Sequence, residues 1–175
     1  QKQPCERTRD VAQRFNTIYG DVFKIPEPYI PKAGARIMGL TNPESKMSKS
    51  IPEGCVFLME KPEDIQRKFK RAITDSDTEN CVRYDPVNKP GVANLMNIYS
   101  AVTGKSFQEI ESEFSGCGYG KFKPAVGEAV IETLRPIREE AARILAAKAY
   151  LESVYTAGPA KASYTAAQHQ PKGPQ

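Results

Sequence analysis

Histidine is almost absent from this chain. The single histidine, His169, lies near the carboxyl terminus in a stretch of Gln, Pro and Gly, so histidine-based catalysis within residues 1–168 is excluded. No C-x-x-C pair occurs either. The four cysteines are far apart in sequence, which predicts neither a zinc site nor an iron–sulfur site: Cys5, Cys55, Cys81 and Cys117. We therefore expect no metal bound by protein ligands.

Long apolar runs are also missing. No run approaches the roughly 20 residues needed to cross a bilayer, and the first ten residues lack the apolar region of a signal peptide. Hydrophobic residues at 39% and charged residues at 26% are typical of soluble globular proteins, so no membrane partner is expected. Widely spaced cysteines favour free thiols and a cytoplasmic location. A net charge of +4 permits an anionic partner without requiring one.

The strongest functional signal is the pentapeptide Lys46-Met47-Ser48-Lys49-Ser50, called here the signature loop. Its two lysines, three residues apart, are point charges that can meet a pyrophosphate from two sides, and its serines add hydrogen bonds without bulk. The plainer interpretation is a basic surface loop. The pentapeptide follows an apolar run that ends at Leu40, and the carboxyl end of a strand is where open α/β sheets place their ligands.

The first 60 residues predict one helix and then short strands. A helix is expected over Pro4–Tyr19, with apolar side chains at helical spacing and Gly20 as its stop. Val22–Ile25 and Ala35–Leu40 are short apolar runs bounded by Pro and Gly, which suits strands or extended segments.

The chain from Lys61 onward is predicted to be helical. Pro62 opens one helix, Val92–Tyr99 lies in another, and Ser106 with Glu109 forms a capping box for a third. The longest helix is predicted over Pro124–Ala149, with a kink at Pro136. After Gly158 we expect the regular structure to be lost.

With this layout, the chain resembles the carboxyl-terminal half of the bacterial tryptophanyl-tRNA synthetases, which are class I aminoacyl-tRNA synthetases. The signature loop alone would indicate only the class. Further blocks in the same order point to tryptophan, and they include Gly20-Asp-Val-Phe23, Lys32-Ala-Gly-Ala-Arg-Ile-Met38, Thr74-Asp-Ser76, Lys89-Pro-Gly91, Asn97-Ile-Tyr-Ser100 and Val130–Ile137.

The resemblance implies an α/β fold class. Residues 1–60 would be the C-terminal part of a Rossmann-like nucleotide-binding domain that carries the signature loop. Residues 61–160 would form an α-helical bundle, the anticodon-binding domain, and residues 161–175 a flexible tail.

The resemblance also implies an activity, a tryptophan–tRNA ligase. Such an enzyme activates tryptophan with ATP and Mg²⁺ to tryptophanyl-adenylate and transfers it to tRNA(Trp), as a cytoplasmic homodimer. The implied catalytic residues are Lys46, Ser48 and Lys49. ATP would be bound by these three together with Ile37, Met47 and Ser50, and Gln1 would lie on the amino-acid and ribose side.

Several features depart from the family pattern. Ile51 stands where an Asp usually follows the loop, and Gln3-Pro4-Cys5 replaces a Gln-His pair. The tail contains Pro and Gly where a helix usually continues. The second class I signature, a His-x-Gly-His element, is missing from the 175 residues, as is the first half of the sheet. We therefore expect this polypeptide alone to be inactive.

Two alternatives remain. The helical region could be a stand-alone module that binds RNA or protein, with a vestigial loop. Arg67, Lys68, Lys70 and Arg71 suit phosphate contact, although the solvated face of the helix that carries Ile65 and Phe69 explains them as well. The other alternative is an unrelated nucleotide-binding protein. A His-x-Gly-His element encoded directly upstream of Gln1 would favour the synthetase.

Overall fold

The computed structural model describes residues 2–29, 36–75 and 81–169. Their regular structure is α-helical, apart from one 3₁₀ turn at Pro52–Gly54. The helices are α1 (Lys2–Tyr19), α2 (Pro62–Arg71), α3 (Pro90–Thr103), α4 (Phe107–Glu113), α5 (Gly118–Ala146) and α6 (Lys148–His169). Within these ranges, no helix is both long and apolar enough to cross a membrane.

The core lies where α5 packs across α2 and α3, with α4 closing one end. Its centre is aromatic. The Phe114 and Phe122 rings meet edge to face with centroids 4.9 Å apart, and Tyr99 packs at 5.7 Å and 6.2 Å from them. Such contacts add to the stabilisation from burial alone. The predicted helical bundle is confirmed.

Several helix ends lie where the sequence predicted them. α1 ends at Tyr19, and Gly20 follows with a φ of 86° that suits glycine. α2 begins at Pro62 as predicted. At α4, the Ser106 side chain accepts from Glu109 N while the Glu109 carboxylate accepts from Ser106 N, which confirms the capping box.

The last two helices differ from the prediction. α5 begins at Gly118, six residues before Pro124, and ends at Ala146. α6 continues through Gly158 and Pro159 to His169, so the expected loss of regular structure after Gly158 is wrong for these residues. This stretch is rich in alanine, and the high helix propensity of alanine favours the helix over the coil.

The predicted Rossmann-like sheet is wrong for the described residues, which contain no strand and only one isolated bridge. A strand requires a partner edge, and the run at 22–25 meets an asparagine side chain instead. Asn16 on α1 accepts from Phe23 N at 2.9 Å and donates to Phe23 O at 2.7 Å. The Phe23 ring also lies 4.8 Å from that of Phe15. The backbone polar groups of Phe23 are therefore satisfied without a neighbouring strand.

The described part of the second run, residues 36–40, forms a narrow hairpin with the signature loop. Met38 and Lys46 form the isolated antiparallel bridge. This hairpin rests on the helical bundle through α3.

Candidate functional site: the signature loop and its stem

Two backbone hydrogen bonds build the stem of the signature loop, defined as residues 37–40 and 45–47. Met47 N donates to Ile37 O at 3.0 Å, and Gly39 N donates to Ser45 O at 2.8 Å. These bonds hold Lys46 between two hydrogen-bonded residues of the stem, Ser45 and Met47.

The base of the stem is joined to the chain on both sides of α2. Leu40 N donates to Gly54 O at 3.0 Å, and Ile73 N donates to Leu40 O at 2.8 Å. Leu40 itself is buried in the core. At Gly54, an added Cβ would lie 2.5 Å from Thr41 Oγ1, so this crossing requires glycine or a movement of Thr41.

The tip of the loop is a tight turn organised by Ser48. Ile51 N donates to Ser48 O at 3.0 Å, and Ser50 N donates to Ser48 Oγ at 3.3 Å. The hydroxyl of Ser48 thus accepts a local backbone hydrogen bond. Ser48 and Met47 are half-buried, whereas Ser50 is exposed.

Both signature lysines are exposed to solvent. Of the ion pairs among the described residues, none involves Lys46 or Lys49. Their ammonium groups can therefore reach an anion without first breaking an internal pair. No described residue group of three or more His, Cys, Asp or Glu could hold a metal ion.

Ile37 and Met47 line one wall of an apolar groove of about 250 Å³. Side chains from α2, α3 and α5 form the opposite wall, among them Phe69, Ile98 and Val130. The predicted ATP-binding residues Ile37, Met47, Lys46, Ser48, Lys49 and Ser50 thus lie together in one hairpin. Gln1, predicted for the amino-acid side, lies outside the described residues.

A mostly buried ion pair fixes the segment that follows the loop, and sequence reasoning missed it. Lys68 on α2 lies 2.5 Å from Glu60 Oε1 and donates to Cys55 O at 2.7 Å, with only 10% of its side chain exposed. Glu60 also accepts from Phe57 N at 3.1 Å. Lys68 is therefore not part of a solvated face, and its charge is engaged internally.

A second buried polar cluster joins the start of α3 to α5. Tyr119 Oη donates to Asp75 at 2.6 Å, and Lys89 Nζ donates to Tyr119 Oη at 3.1 Å. Burial, with help from the Asp75 carboxylate, raises the pKa of Tyr119 to about 12. The phenol therefore stays neutral at physiological pH and acts here as a structural hydrogen-bonding group.

Asn94 contacts the stem directly, although the sequence pointed to no role for it. Its side chain accepts from Met38 N and donates to Met38 O, both at 2.9 Å, and the residue is 4% exposed. The sequence signal for it is weak, since Asn94 is one of two asparagines in the largely apolar α3.

Comparisons with known proteins show the family to which this chain belongs. Residues 1–135 match the family model described as "tRNA synthetases class I (W and Y)". A tryptophan–tRNA ligase of Clostridium tetani is 52% identical over 168 residues, covering 95% of this chain and 49% of that protein. One from Wolinella succinogenes is 54% identical over 160 residues, covering 90% and 48%. The chain spans about half the length of the curated relatives it matches.

Solved structures give the same result. A tryptophanyl-tRNA synthetase from Mycoplasma pneumoniae superimposes with a TM-score of 0.68 at 32% identity, over 80% of this chain and 45% of that one. The enzyme from Campylobacter jejuni, in complex with ADP and tryptophan, has a TM-score of 0.63 at 24% identity, over 94% and 50%. The second likeness bears on the fold alone.

Proposed function

The chain belongs to the class I tRNA synthetases of the tryptophan and tyrosine type, and on this premise we propose that it forms the carboxyl-terminal half of a tryptophan–tRNA ligase. The observation that carries the proposal is the signature hairpin, with Lys46 and Lys49 exposed and outside the described ion pairs. Identity of 52–54% to tryptophan–tRNA ligases supports tryptophan over tyrosine as the amino acid.

In this proposal, the tryptophan carboxylate attacks the α-phosphorus of ATP, the bond from that phosphorus to the bridging oxygen breaks, and pyrophosphate leaves. Lys46 and Lys49 stabilise the charge on the phosphates during this step. This chemistry depends on positioning and on fixed charge around the phosphates, with little covalent work by the protein. Ser48 shapes the turn that carries Lys49. The Ser50 hydroxyl would hydrogen-bond to the phosphates. Mg²⁺ would arrive with the ATP substrate and share the phosphate charge.

Backbone groups around Ile37 and Met47 would hold the adenine, next to the hydrogen bond from Met47 N to Ile37 O. Gln1 would act on the amino-acid and ribose side. We assign residues 1–60 to the catalytic region, residues 61–160 to the anticodon-binding region, and tRNA(Trp) as the partner. A cytoplasmic homodimer is part of the same proposal.

Substrate-dependent pyrophosphate exchange tests this function. The full-length protein carrying this sequence should exchange pyrophosphate into ATP when tryptophan is added, and at least about a hundredfold more slowly with tyrosine, since a site built for one aromatic amino acid discriminates strongly. Exchange with neither amino acid, together with binding of the isolated helical region to RNA or protein, would favour the stand-alone binding module instead.

A further inference from the structure

Asn94 holds Met38 as a neighbouring strand would. It uses both polar atoms of its amide, accepting from Met38 N and donating to Met38 O at 2.9 Å each. This arrangement satisfies the donor and the acceptor of one residue with a single side chain. Because Asn94 is 4% exposed, water does not readily replace these bonds.

Met38 is also the residue that faces the first signature lysine. It forms the antiparallel bridge with Lys46, and its neighbours Ile37 and Gly39 make the two hydrogen bonds of the stem. A displacement of Met38 would therefore move the backbone of Lys46, and it would move the turn that carries Lys49 as well.

The helix that carries Asn94 is fixed in the centre of the bundle. Val92, Leu95 and Met96 on α3 are fully buried in the core. At Gly91 the helix approaches the neighbouring chain so closely that an added Cβ would lie 2.2 Å from Ile73 O. Asn94 thus ties the stem to a rigid element, and the position of the loop follows that of α3.

We propose that Asn94 is a positioning residue for adenylate formation, which places the signature lysines by anchoring Met38 to α3. The inference rests on the proposed function, because it concerns the same reaction. It adds a residue that touches neither ATP nor tryptophan. It also makes the helical region, and not only the nucleotide-binding region, a determinant of lysine position.

Asn97 provides a matched control. It lies on the same helix and is half-buried, and its side-chain amide donates to Ala93 O at 2.9 Å, a hydrogen bond that stays within α3. Asn97→Ala therefore removes an amide and one hydrogen bond without touching the stem.

The test compares Asn94→Ala, Asn94→Asp and Asn97→Ala in the full-length protein. Asn94→Asp keeps the shape of the side chain and the acceptor for Met38 N, but it loses the donor to Met38 O. This variant carries the test if Asn94→Ala fails to fold. We expect both Asn94 variants to slow tryptophan-dependent pyrophosphate exchange about 10-fold to 100-fold, the range for a small misplacement of catalytic groups. In both Asn94 variants the KM for tryptophan should stay within about twofold of the parent value. The exchange rate of Asn97→Ala should stay within about threefold of the parent rate.

Hydrogen exchange of the Gly39 and Met47 amides gives a readout that does not depend on the reaction. Both amides should exchange at least about tenfold faster in the Asn94 variants and at the parent rate in Asn97→Ala. Unchanged amide exchange would overturn the inference. Faster amide exchange with an unchanged reaction rate, or an equal loss in Asn97→Ala, would overturn it as well. Absence of tryptophan-dependent activity in the parent would instead refute the proposed function. The exchange of the two amides would still show whether Asn94 anchors Met38 to α3.

Discussion

Glu60 and Lys68 form a mostly buried ion pair, with 2.5 Å between Glu60 Oε1 and Lys68 Nζ, and this pair closes the segment that follows the signature loop onto α2. The Lys68 ammonium also reaches Cys55 O and lies 5.4 Å from the centre of the Phe57 ring. The charge is thereby paired and hydrogen-bonded, which is the condition for burying it at tolerable cost.

Removing one partner of this pair should destabilise the fold. Lys68→Ala leaves the Glu60 carboxylate mostly buried without its cation, and we expect the free energy of unfolding to fall by about 3 kcal/mol. Urea denaturation measures it. Lys70→Ala, at an exposed position of the same helix, should change stability by less than about 0.5 kcal/mol.

The double variant Glu60→Gln with Lys68→Met separates pairing from packing. It should recover most of the loss, because neither side chain then leaves a buried charge alone. If Lys68→Ala is no more destabilising than Lys70→Ala, the pair does not hold this segment.

Any side chain at Gly91 should destabilise the fold. An added Cβ would lie 2.2 Å from Ile73 O, a backbone atom that cannot move aside freely. We expect Gly91→Ala to reduce stability by about 1–3 kcal/mol, as overpacking does. Gly120→Ala in α5 is the control, since nothing lies within 4 Å of its added Cβ, and it should be neutral or stabilising by up to about 1 kcal/mol. Equal thermal midpoints for the two variants would refute the close approach.

Ile51 follows the signature loop and is half-exposed, and its amide closes the turn at Ser48 O. Ile51→Asp should raise the rate of adenylate formation, because a carboxylate there can order a neighbouring lysine or backbone N–H. The gain is limited to about 0–1 kcal/mol for an exposed pair. Pyrophosphate exchange measures it, and a loss of rate would indicate a different loop geometry.

The helical bundle could be predicted from the sequence because its signals are local. These signals act within a few residues: the proline at the start of α2, the capping box of α4 and the apolar spacing within α5. The sheet prediction failed because side-chain amides satisfy the backbone of the predicted strands. Asn16 and Asn94 take the backbone groups that strands would have paired, and hydrophobic patterning carries no information about them.

The candidate site could likewise be predicted from the sequence only in part. The signature loop was evident as a string of five residues, because its chemistry depends on residue types at close spacing. Its supports were not evident. Lys68 looked like a surface cation, and Asn94 lies 56 residues from Met38, so only the folded chain brings each to its partner.

The most direct test of the account is the effect of Lys49→Ala on tryptophan-dependent pyrophosphate exchange in the full-length protein. The lysine is proposed to meet phosphate and not the amino acid. The rate should therefore fall about 10²–10³-fold, roughly 3–4 kcal/mol of transition-state stabilisation, with tryptophan binding nearly unchanged. A rate within about threefold of the parent would contradict the assignment of the signature loop to the phosphates of ATP.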